Sequence, residues 1–203
     1  MSGTTTFHLV RHGDYSHLGR ILAGRTPGYS LNETGRRQAE AVAASLAETG
    51  LAAVVSSPME RTRETAAPIA ARCGLAVEID PGVVEIDFGE WTGRSFESLR
   101  AWEGWADFAR FRSTAQVPGG ESMLAVQARA LAAVLRLRRL HPGGHVVIVS
   151  HGDVIKSIVA HFLTVPLDMF RRFDIGPASR SIVALSDHDA KVLGVNLPPP
   201  LPV

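Results

Sequence analysis

Two histidines each follow a short apolar segment, one near the start of the chain and one in its last third. Residues 7–10 run directly into Arg11 and His12, and residues 146–149 run into Ser-His-Gly around His151. An apolar segment that stops at such a polar, glycine-containing cluster is typical of a buried parallel strand whose carboxyl end opens into an active site. Two such ends at one edge of a sheet would bring the two imidazoles face to face. We therefore predict that His12 is a nucleophile that accepts a phosphoryl group and that His151 stands opposite it.

A phosphate monoester resists attack because its dianion repels nucleophiles, so the site needs cations. Arg11 and Arg61 can clamp the phosphate oxygens in forked geometry and spread the charge of a loose transition state. Their charge also lowers the pKa of His12, which keeps one ring nitrogen unprotonated and able to attack. The carbonyl of Gly13 is the expected acceptor for the other ring N–H, which would fix the tautomer.

Arg61 follows Ser-Ser-Pro at residues 56–58 and lies in the first turn of a predicted helix. Free backbone N–H groups and the positive end of the helix dipole favour an anion at that place. A cation there is unfavourable for the helix unless an anion compensates it. Spacing alone favours a simpler interpretation, in which Arg61 pairs with Glu64 on an exposed helix face.

The leaving alkoxide is strongly basic and needs a proton as its bond to phosphorus breaks. Glu85 lies between Val84 and Ile86 in an acidic, aromatic loop at residues 84–93, and we expect it to point inward with a raised pKa. We predict that Glu85 protonates the leaving group and then helps water to hydrolyse the phosphohistidine, without a metal. His151, next to the phosphate dianion, is expected to tend toward its charged form and to add a donor. By pattern alone, the loop could also be a metal site or plain surface.

The long loop at residues 15–30 holds further candidates for substrate binding. A loop of this length in a compact domain is usually functional or flexible. Its arginines, Arg20 and Arg25, either line the path of an anion or are simply solvated, and the sequence favours neither interpretation. The predicted substrate-binding residues are Arg11, Arg61, Gly152, Ser16, His17, Gly24 and Arg25.

Alternating strand and helix patterns would position these residues. Apolar segments predict strands at residues 7–10, 52–55, 76–79, 146–149, 181–185 and 192–195. The last two are candidates for antiparallel strands. Helical spacing predicts helices at residues 36–48, from 61 onward, 122–140 and 154–163. Aromatic residues recur at three- and four-residue steps between residues 96 and 111, among them Trp102, Trp105, Phe108 and Phe111. This spacing predicts one amphipathic helix or two short ones, which belong either to the core or to a lid.

Composition limits the class of protein and its partners. The chain of 203 residues is long enough for one domain with a proper core, and its net charge of +1 favours neither nucleic acid nor membranes. A single cysteine, Cys73, excludes an internal disulfide framework. The first residues show no secretory pattern, and no window is apolar enough for a transmembrane helix. We expect a cytoplasmic protein whose partner is a small phosphorylated metabolite, and an exposed edge strand would permit a homodimer.

Five motifs in order resemble the histidine phosphatase superfamily, in its phosphoglycerate mutase-like branch. They span roughly residues 7–155 and comprise Arg-His-Gly at 11–13, Ser-Ser-Pro at 56–58 with Arg61 and Thr-Ala at 65–66, the block at 85–93, Pro-Gly-Gly-Glu-Ser at 118–122, and Ser-His-Gly at 150–152. One tripeptide would be a weak signal, whereas five motifs at plausible structural junctions are specific. The resemblance implies the same roles for Arg11, His12, Arg61, Glu85 and His151, and it implies no cofactor.

Together, the patterns and the resemblance imply an α/β fold, a three-layer sandwich with a mostly parallel central sheet flanked by helices and a small helical lid insertion. We predict a single catalytic domain over residues 1–197, with the lid at about 94–119, and a disordered proline-rich tail at 198–203.

The loop after His12 departs from the family pattern. The family usually has an asparagine six residues after the nucleophilic histidine, and a direct count places Leu18 there. We therefore expect Ser16 or His17 to take over that phosphate contact. Asp14 also stands where glutamate, glutamine or alanine is commoner.

The predicted function is a phosphatase that hydrolyses small-molecule phosphomonoesters. The first alternative is a phosphoglycerate mutase-like phosphomutase, although mutases of the family carry longer lid insertions. The second is a metal hydrolase with His12, His151, Asp14 and Asp153 as ligands, although two arginines at the same place would repel a cation. The third is a catalytically weak module that binds phosphorylated ligands.

Overall fold

In the part of the chain that the structure describes, six strands form one central sheet, and most of them run parallel. The computed structural model describes residues 3–199. Its strands are β1 (Thr5–Arg11), β2 (Leu51–Ser56), β3 (Val77–Ile79), β4 (His145–Ser150), β5 (Arg180–Leu185) and β6 (Ala190–Leu197). They lie in the order β3-β2-β4-β1-β5-β6. Strands β1 to β4 are mutually parallel, β5 is antiparallel to β1, and β6 is antiparallel to β5.

Within residues 3–199, six α-helices and three short 3₁₀ segments connect the strands. The α-helices are α1 (Glu33–Leu46), α2 (Glu60–Cys73), α3 (Phe96–Leu99), α4 (Trp105–Arg110), α5 (Met123–Leu140) and α6 (Gly152–Phe162), and the 3₁₀ segments are Pro81–Val83, Gly89–Trp91 and Leu167–Arg172. Helix α1 begins after Asn32, whose side-chain oxygen accepts from the backbone N–H of Gly35 at 2.8 Å. Helix α2 ends at Gly74, which has a φ of +66°, a left-handed conformation that glycine adopts without steric cost.

Helices cover both faces of the sheet, which makes three layers. On one face, Val10 and Val147 pack in a core cluster with Ile69 of α2. On the other face, Leu9 and Ile148 belong to a larger core cluster that includes residues of α5 and α6. Successive strand residues therefore point into different cores, which explains why the central strands are mostly apolar without alternation. The buried His8 of β1 is an exception. The predicted α/β sandwich with a mostly parallel sheet is confirmed.

The predicted lid contains two short helices, α3 and α4. The aromatic pattern does not continue as one helix because Gly104 has a φ of +77° immediately before α4. Trp105 and Phe108 of α4 both pack on buried Trp91, with ring centroids 5.4 Å apart in each pair. The aromatic stretch is thus partly core and partly lid.

Some predictions about the chain lie beyond what the structure describes. Residues 200–203 of the predicted tail lie outside the described residues, so the disordered tail and the domain boundaries stay predictions. Strands β3 and β6 are outermost in the sheet, and a homodimer through such an edge likewise stays a prediction. Within residues 3–199, no helix combines the length and the apolar character needed to cross a membrane.

Candidate active site

The pairing of β1 with β4 brings the two histidines together. In these neighbouring parallel strands Arg11 lies opposite Ser150, so the next residue of each, His12 and His151, leaves the sheet at the same edge. The ring centroids of His12 and His151 are 5.4 Å apart, in an edge-to-face arrangement. Only 2% of His12 and none of His151 is exposed. The predicted juxtaposition of the two imidazoles is confirmed.

The backbone determines which nitrogen of His12 is free. Nδ1 of His12 lies 2.8 Å from the carbonyl oxygen of Gly13, and a carbonyl can only accept, so Nδ1 carries the hydrogen. The predicted acceptor is confirmed, and Nε2 keeps its lone pair. Burial, followed by the charges of Arg61 and Arg11, lowers the pKa of His12 well below its usual value. The imidazole is therefore neutral and nucleophilic at neutral pH.

The guanidinium groups of buried Arg61 and half-buried Arg11 carry buried nitrogens without hydrogen-bond partners. Arg61 is 1% exposed and donates from Nη2 to the carbonyl of Gly24 at 2.8 Å. Arg11 donates from Nη1 to the carbonyl of Ile175 at 2.6 Å. Among residues 3–199, Nε and Nη1 of Arg61 and Nε of Arg11 have no partner. Buried donors without acceptors are costly, and three of them on two cations are suited to an anion such as phosphate.

The simpler interpretation of Arg61, an exposed pair with Glu64, is wrong. Arg61 is buried, and Glu64 instead accepts from the backbone N–H of Leu31 at 2.7 Å. This contact ties the long loop after β1 to helix α2. Helix spacing could not predict this contact, because Leu31 lies more than thirty residues before Glu64 in the chain.

Hydrogen bonds also assign the tautomer of His151. Nη2 of Arg61 lies 3.2 Å from Nδ1 of His151, and since a guanidinium group only donates, Nδ1 accepts. Nε2 then carries the hydrogen and donates to Oγ of Ser57 at 2.8 Å. Burial, followed by the charges of Arg61 and His12, lowers the pKa of His151 well below its usual value. The protein thus opposes the expected charged form, and only a bound dianion that offsets the arginine charges would restore it.

Glu85 is the acidic group of the site. One carboxylate oxygen of Glu85 lies 3.8 Å from Nδ1 of His151. Burial, followed by the negative charge of Asp153, raises the pKa of Glu85 to about 7. The backbone carbonyl of Glu85 accepts from Nε of Arg25 at 2.8 Å and from Nη2 of Arg129 at 3.2 Å. A firmly held carboxyl group that is half protonated near neutral pH can both give and take a proton.

His12, Arg11, Arg61 and Glu85 line a cavity of about 550 Å³. The rest of its wall combines apolar and aromatic side chains with five charged ones, Arg112, Asp153, Lys156, Arg171 and Asp174. Phe96, Trp105 and Phe108 of the lid line this cavity, as does Phe88. Trp102, also part of the predicted aromatic stripe, lies outside it and packs under the guanidinium of Arg94, 4.0 Å from ring centroid to Cζ. Phe111 is half exposed and also lies outside the cavity. Only part of the predicted aromatic stripe therefore lines the cavity.

Two glycines of the predicted substrate set line the cavity. A Cβ at Gly152 would meet Cζ and Nε of Arg11 at 3.4 Å, so the guanidinium lies directly against the backbone at the start of α6. Gly24 has a φ of +52° and directs its carbonyl to Arg61. Both glycines therefore act through their backbone, by positioning the two arginines.

The other loop residues of the predicted set lie elsewhere. Ser16 and His17 line a neighbouring depression, which shares Tyr15 with the active-site cavity. Arg25 forms an ion pair with Glu121 at 2.7 Å and supports the loop of Glu85 rather than the cavity. The geometry does not bring Ser16, His17 or Arg25 to the two arginines, so nothing here supports a direct phosphate contact by them.

Sequence reasoning missed three side chains of the site. Ser57 holds His151, the ring of Tyr15 packs on that of His12 with centroids 5.5 Å apart, and Arg112 lines the cavity from the lid. Ser57 follows the carboxyl end of β2, and the same strand-end argument that found His12 could have found it. Tyr15 and Arg112 carry no comparable local signal.

Glycine is required where α1 approaches the loop that holds His12. A Cβ at Gly35 would overlap the backbone carbonyl of Asp14, and a Cβ at Gly13 would lie 2.6 Å from the carbonyl oxygen of Gly35. We expect Gly35→Ala to lower the free energy of unfolding by about 1–3 kcal/mol, as overpacking does, and to reduce turnover by displacing His12. Thermal unfolding and steady-state kinetics would measure both effects. Gly176→Ala is the matched control, because its Cβ would meet only Oδ1 of Asn196, at 3.5 Å; equal effects of the two substitutions would contradict the argument.

Comparisons with known proteins agree with this geometry. A family model described as the histidine phosphatase superfamily (branch 1) matches residues 7–198. The chain is 41% identical over 157 residues to an uncharacterized protein of Mycobacterium tuberculosis, covering 74% of this chain and 75% of the relative. It is 30% identical over 194 residues to phosphoserine phosphatase 1 of Hydrogenobacter thermophilus, covering 93% and 90%. It is 33% identical over 179 residues to a probable phosphoglycerate mutase, GpmB, of Cronobacter sakazakii, covering 87% and 83%.

Solved structures share the same fold over almost the whole chain. YhfR of Bacillus stearothermophilus superposes with a TM-score of 0.90 at 28% identity, covering 95% of this chain and 97% of that one. A mycobacterial glucosyl-3-phosphoglycerate phosphatase superposes with a TM-score of 0.86 at 25% identity, covering 96% and 99%.

Proposed function

Because this chain belongs to the histidine phosphatase superfamily, we propose that it is a phosphatase that hydrolyses small phosphomonoesters through a phosphohistidine on His12. The proteins similar to it include phosphoserine phosphatase 1 and a probable phosphoglycerate mutase. One observation carries the proposal. The unpaired nitrogens of Arg11 and Arg61 lie beside an imidazole whose Nδ1 is bound to a carbonyl and whose Nε2 is free. A dianion clamped by these donors would meet a neutral nucleophile.

In the first step, Nε2 of His12 attacks phosphorus and the bond between phosphorus and the ester oxygen breaks. Arg11 and Arg61 stabilise the charge on the equatorial oxygens. Glu85, in its protonated form, transfers its proton to the departing alkoxide. The products are an alcohol, a phosphohistidine and an ionised Glu85.

In the second step, water attacks the phosphohistidine on the side that the alcohol has left. Glu85 accepts a proton from the water as the new bond to phosphorus forms and the bond to Nε2 breaks. Inorganic phosphate leaves, Glu85 is protonated again, and His12 returns to its neutral form. The same carboxyl group thus acts first as acid and then as base, which its pKa of about 7 favours.

The aromatic part of the cavity wall indicates which esters bind well. Phe96, Trp105 and Phe108 offer aromatic surface to the part of the substrate beyond the phosphate. Burial of an apolar or ring-shaped alcohol portion against them contributes binding free energy that a short polar alcohol lacks. We therefore infer that esters of such alcohols are preferred among small phosphorylated metabolites.

The test is a panel of phosphomonoesters assayed for release of inorganic phosphate by the purified chain. We expect turnover of aryl phosphates, and we expect ring-bearing alkyl phosphates to have a higher kcat/KM than glycerol phosphate, whose leaving alkoxide is similarly basic. The panel is repeated with a strong chelator, and activity should persist, because Arg11 and Arg61 repel a cation from this cavity; loss of activity would favour the metal hydrolase. Transfer between the hydroxyls of phosphoglycerate, dependent on a bisphosphate, would favour the phosphomutase. Binding without any turnover would favour a ligand-binding module.

A further inference from the structure

A lid arginine is ion-paired to the helix that follows His151. Nη1 of Arg112 lies 3.0 Å from a carboxylate oxygen of Asp153, in the first turn of α6. The side chains of Arg112 and Asp153 are only 12% and 24% exposed. Both residues line the active-site cavity together with Glu85. The ion pair therefore connects the predicted lid to helix α6 at the cavity that Glu85 also lines.

Aromatic rings and a backbone tether hold Arg112 in place. Its Cζ lies 4.0 Å from the ring centroid of Phe108 and 4.9 Å from that of Phe170, and neither ring is more than 1% exposed. The next residue, Ser113, donates from its backbone N–H and its hydroxyl to the carboxylate of Asp168, at 2.8 and 2.9 Å. The guanidinium is thus oriented before any substrate binds, and its cation–π contacts exclude water that would otherwise screen its charge.

We propose that Arg112, through its ion pair with Asp153, is a positioning residue that controls how strongly Glu85 holds its proton. The inference rests on the proposed function, in which Glu85 is the proton donor. Asp153 disfavours the ionised form of Glu85, and Arg112 offsets the charge of Asp153. Removing either partner should therefore move the proton affinity of Glu85, and the two removals should move it in opposite directions.

Several other charged side chains contact Glu85 or line the same cavity, and the two variants of the ion pair leave all of them in place: Arg11, Arg25, Arg61, Arg129, Lys156, Arg171 and Asp174. Arg11 of β1 and Arg61 of α2 favour the ionised carboxylate. His151 contacts Glu85 at 3.8 Å but is neutral, because burial and Arg61 lower the pKa of His151. Tyr15 also faces Glu85, and burial raises the pKa of its phenol, so it stays neutral as well. Arg112→Met and Asp153→Asn each change one charge near Glu85, so a shift in the proton affinity of Glu85 reports the charges of this ion pair.

The experiment measures kcat against pH, under saturating substrate, for a phosphomonoester with a poor leaving group. This profile reports groups in the enzyme–substrate complex. Activity falls with rising pH as Glu85 loses its proton. In the unmodified chain we expect the midpoint above the pKa of about 7 that Glu85 has without substrate, because the bound dianion further disfavours the ionised carboxylate. We expect Arg112→Met to move this midpoint upward and Asp153→Asn to move it downward, each by about half a pH unit or more.

Controls separate charge from structure. Arg112→Lys keeps the charge and should leave the midpoint nearly unchanged, while Arg112→Gln repeats the charge removal if Arg112→Met fails to fold. If the ion pair has only a structural role, Arg112→Met and Asp153→Asn would both lower kcat or stability, and the midpoint of the pH profile would not move in opposite directions. Midpoints that stay fixed, or that move in the same direction, overturn the inference.

A further variant separates this inference from the proposed function. Glu85→Gln should abolish the fall of activity at high pH. If the fall persists in Glu85→Gln, Glu85 is not the donor, and both the proposed mechanism and the inference are overturned. If the fall disappears in Glu85→Gln but keeps its midpoint in Arg112→Met and Asp153→Asn, the mechanism stands and the role of Arg112 and Asp153 is overturned.

Discussion

Replacing His12 with asparagine will reduce the turnover of every phosphomonoester at least about 1,000-fold, since loss of a catalytic nucleophile removes the covalent route entirely. Asparagine nearly matches the imidazole in reach and polarity, and the position is buried, so the site should keep its arginines and its binding capacity. The unmodified chain, mixed rapidly with labelled ester and quenched in alkali, should carry label in an acid-labile bond typical of phosphohistidine. The variant should carry none.

The control for His12→Asn is His145→Asn. His145 lies on β4, the same strand that leads to His151, and its ring stacks on that of His8 with centroids 5.5 Å apart. It is a partly buried histidine at the opposite end of the sheet from the cavity, so its loss should affect stability but not the trapped intermediate. Full turnover by His12→Asn, or label in its protein fraction, would exclude a phosphohistidine at this position.

The sheet was predictable because its central strands obey a simple physical rule. A parallel strand covered by helices on both faces is largely apolar, and residues 7–10 and 146–149 fit that description inside β1 and β4, apart from His8. The break in the lid depended on Gly104, whose positive φ ends the aromatic pattern before α4. A lone glycine is compatible with a continuous helix, so the pattern alone could not choose between one helix and two.

The juxtaposition of His12 and His151 was predictable for the same reason, because neighbouring parallel strands end at one edge of the sheet. Arg61 was ambiguous, since the helix spacing that favours an exposed pair says nothing of burial. Its position became clear only from contacts with Gly24 and His151, which lie far away in the chain. For Arg25 the error was the opposite one. Its charge and loop position suggested a phosphate contact, but its guanidinium forms an ion pair with Glu121.

Replacing Glu85 with glutamine will slow esters with poor leaving groups far more than activated ones. Glutamine keeps the shape of the side chain but has no transferable proton, so a strongly basic alkoxide must leave unprotonated. The expected loss for phosphorylation of the enzyme by an alkyl phosphate is about 100- to 10,000-fold, the usual contribution of general acid catalysis. A nitrophenyl phosphate, whose leaving group is stable as an anion, should phosphorylate His12 at nearly the original rate.

Rapid-quench measurement of the first turnover distinguishes the two chemical steps. With nitrophenyl phosphate, Glu85→Gln should show a burst of nitrophenol followed by slow turnover, because the variant also lacks the base that assists water. Glu90→Gln is the control, since Glu90 is an exposed carboxylate in the same loop and should behave like the unmodified chain. Equal slowing of the burst for both esters would remove Glu85 from the role of proton donor. The contrast between esters is decisive because a general disturbance of the site would slow both alike, whereas a missing proton matters only where the leaving oxygen needs one.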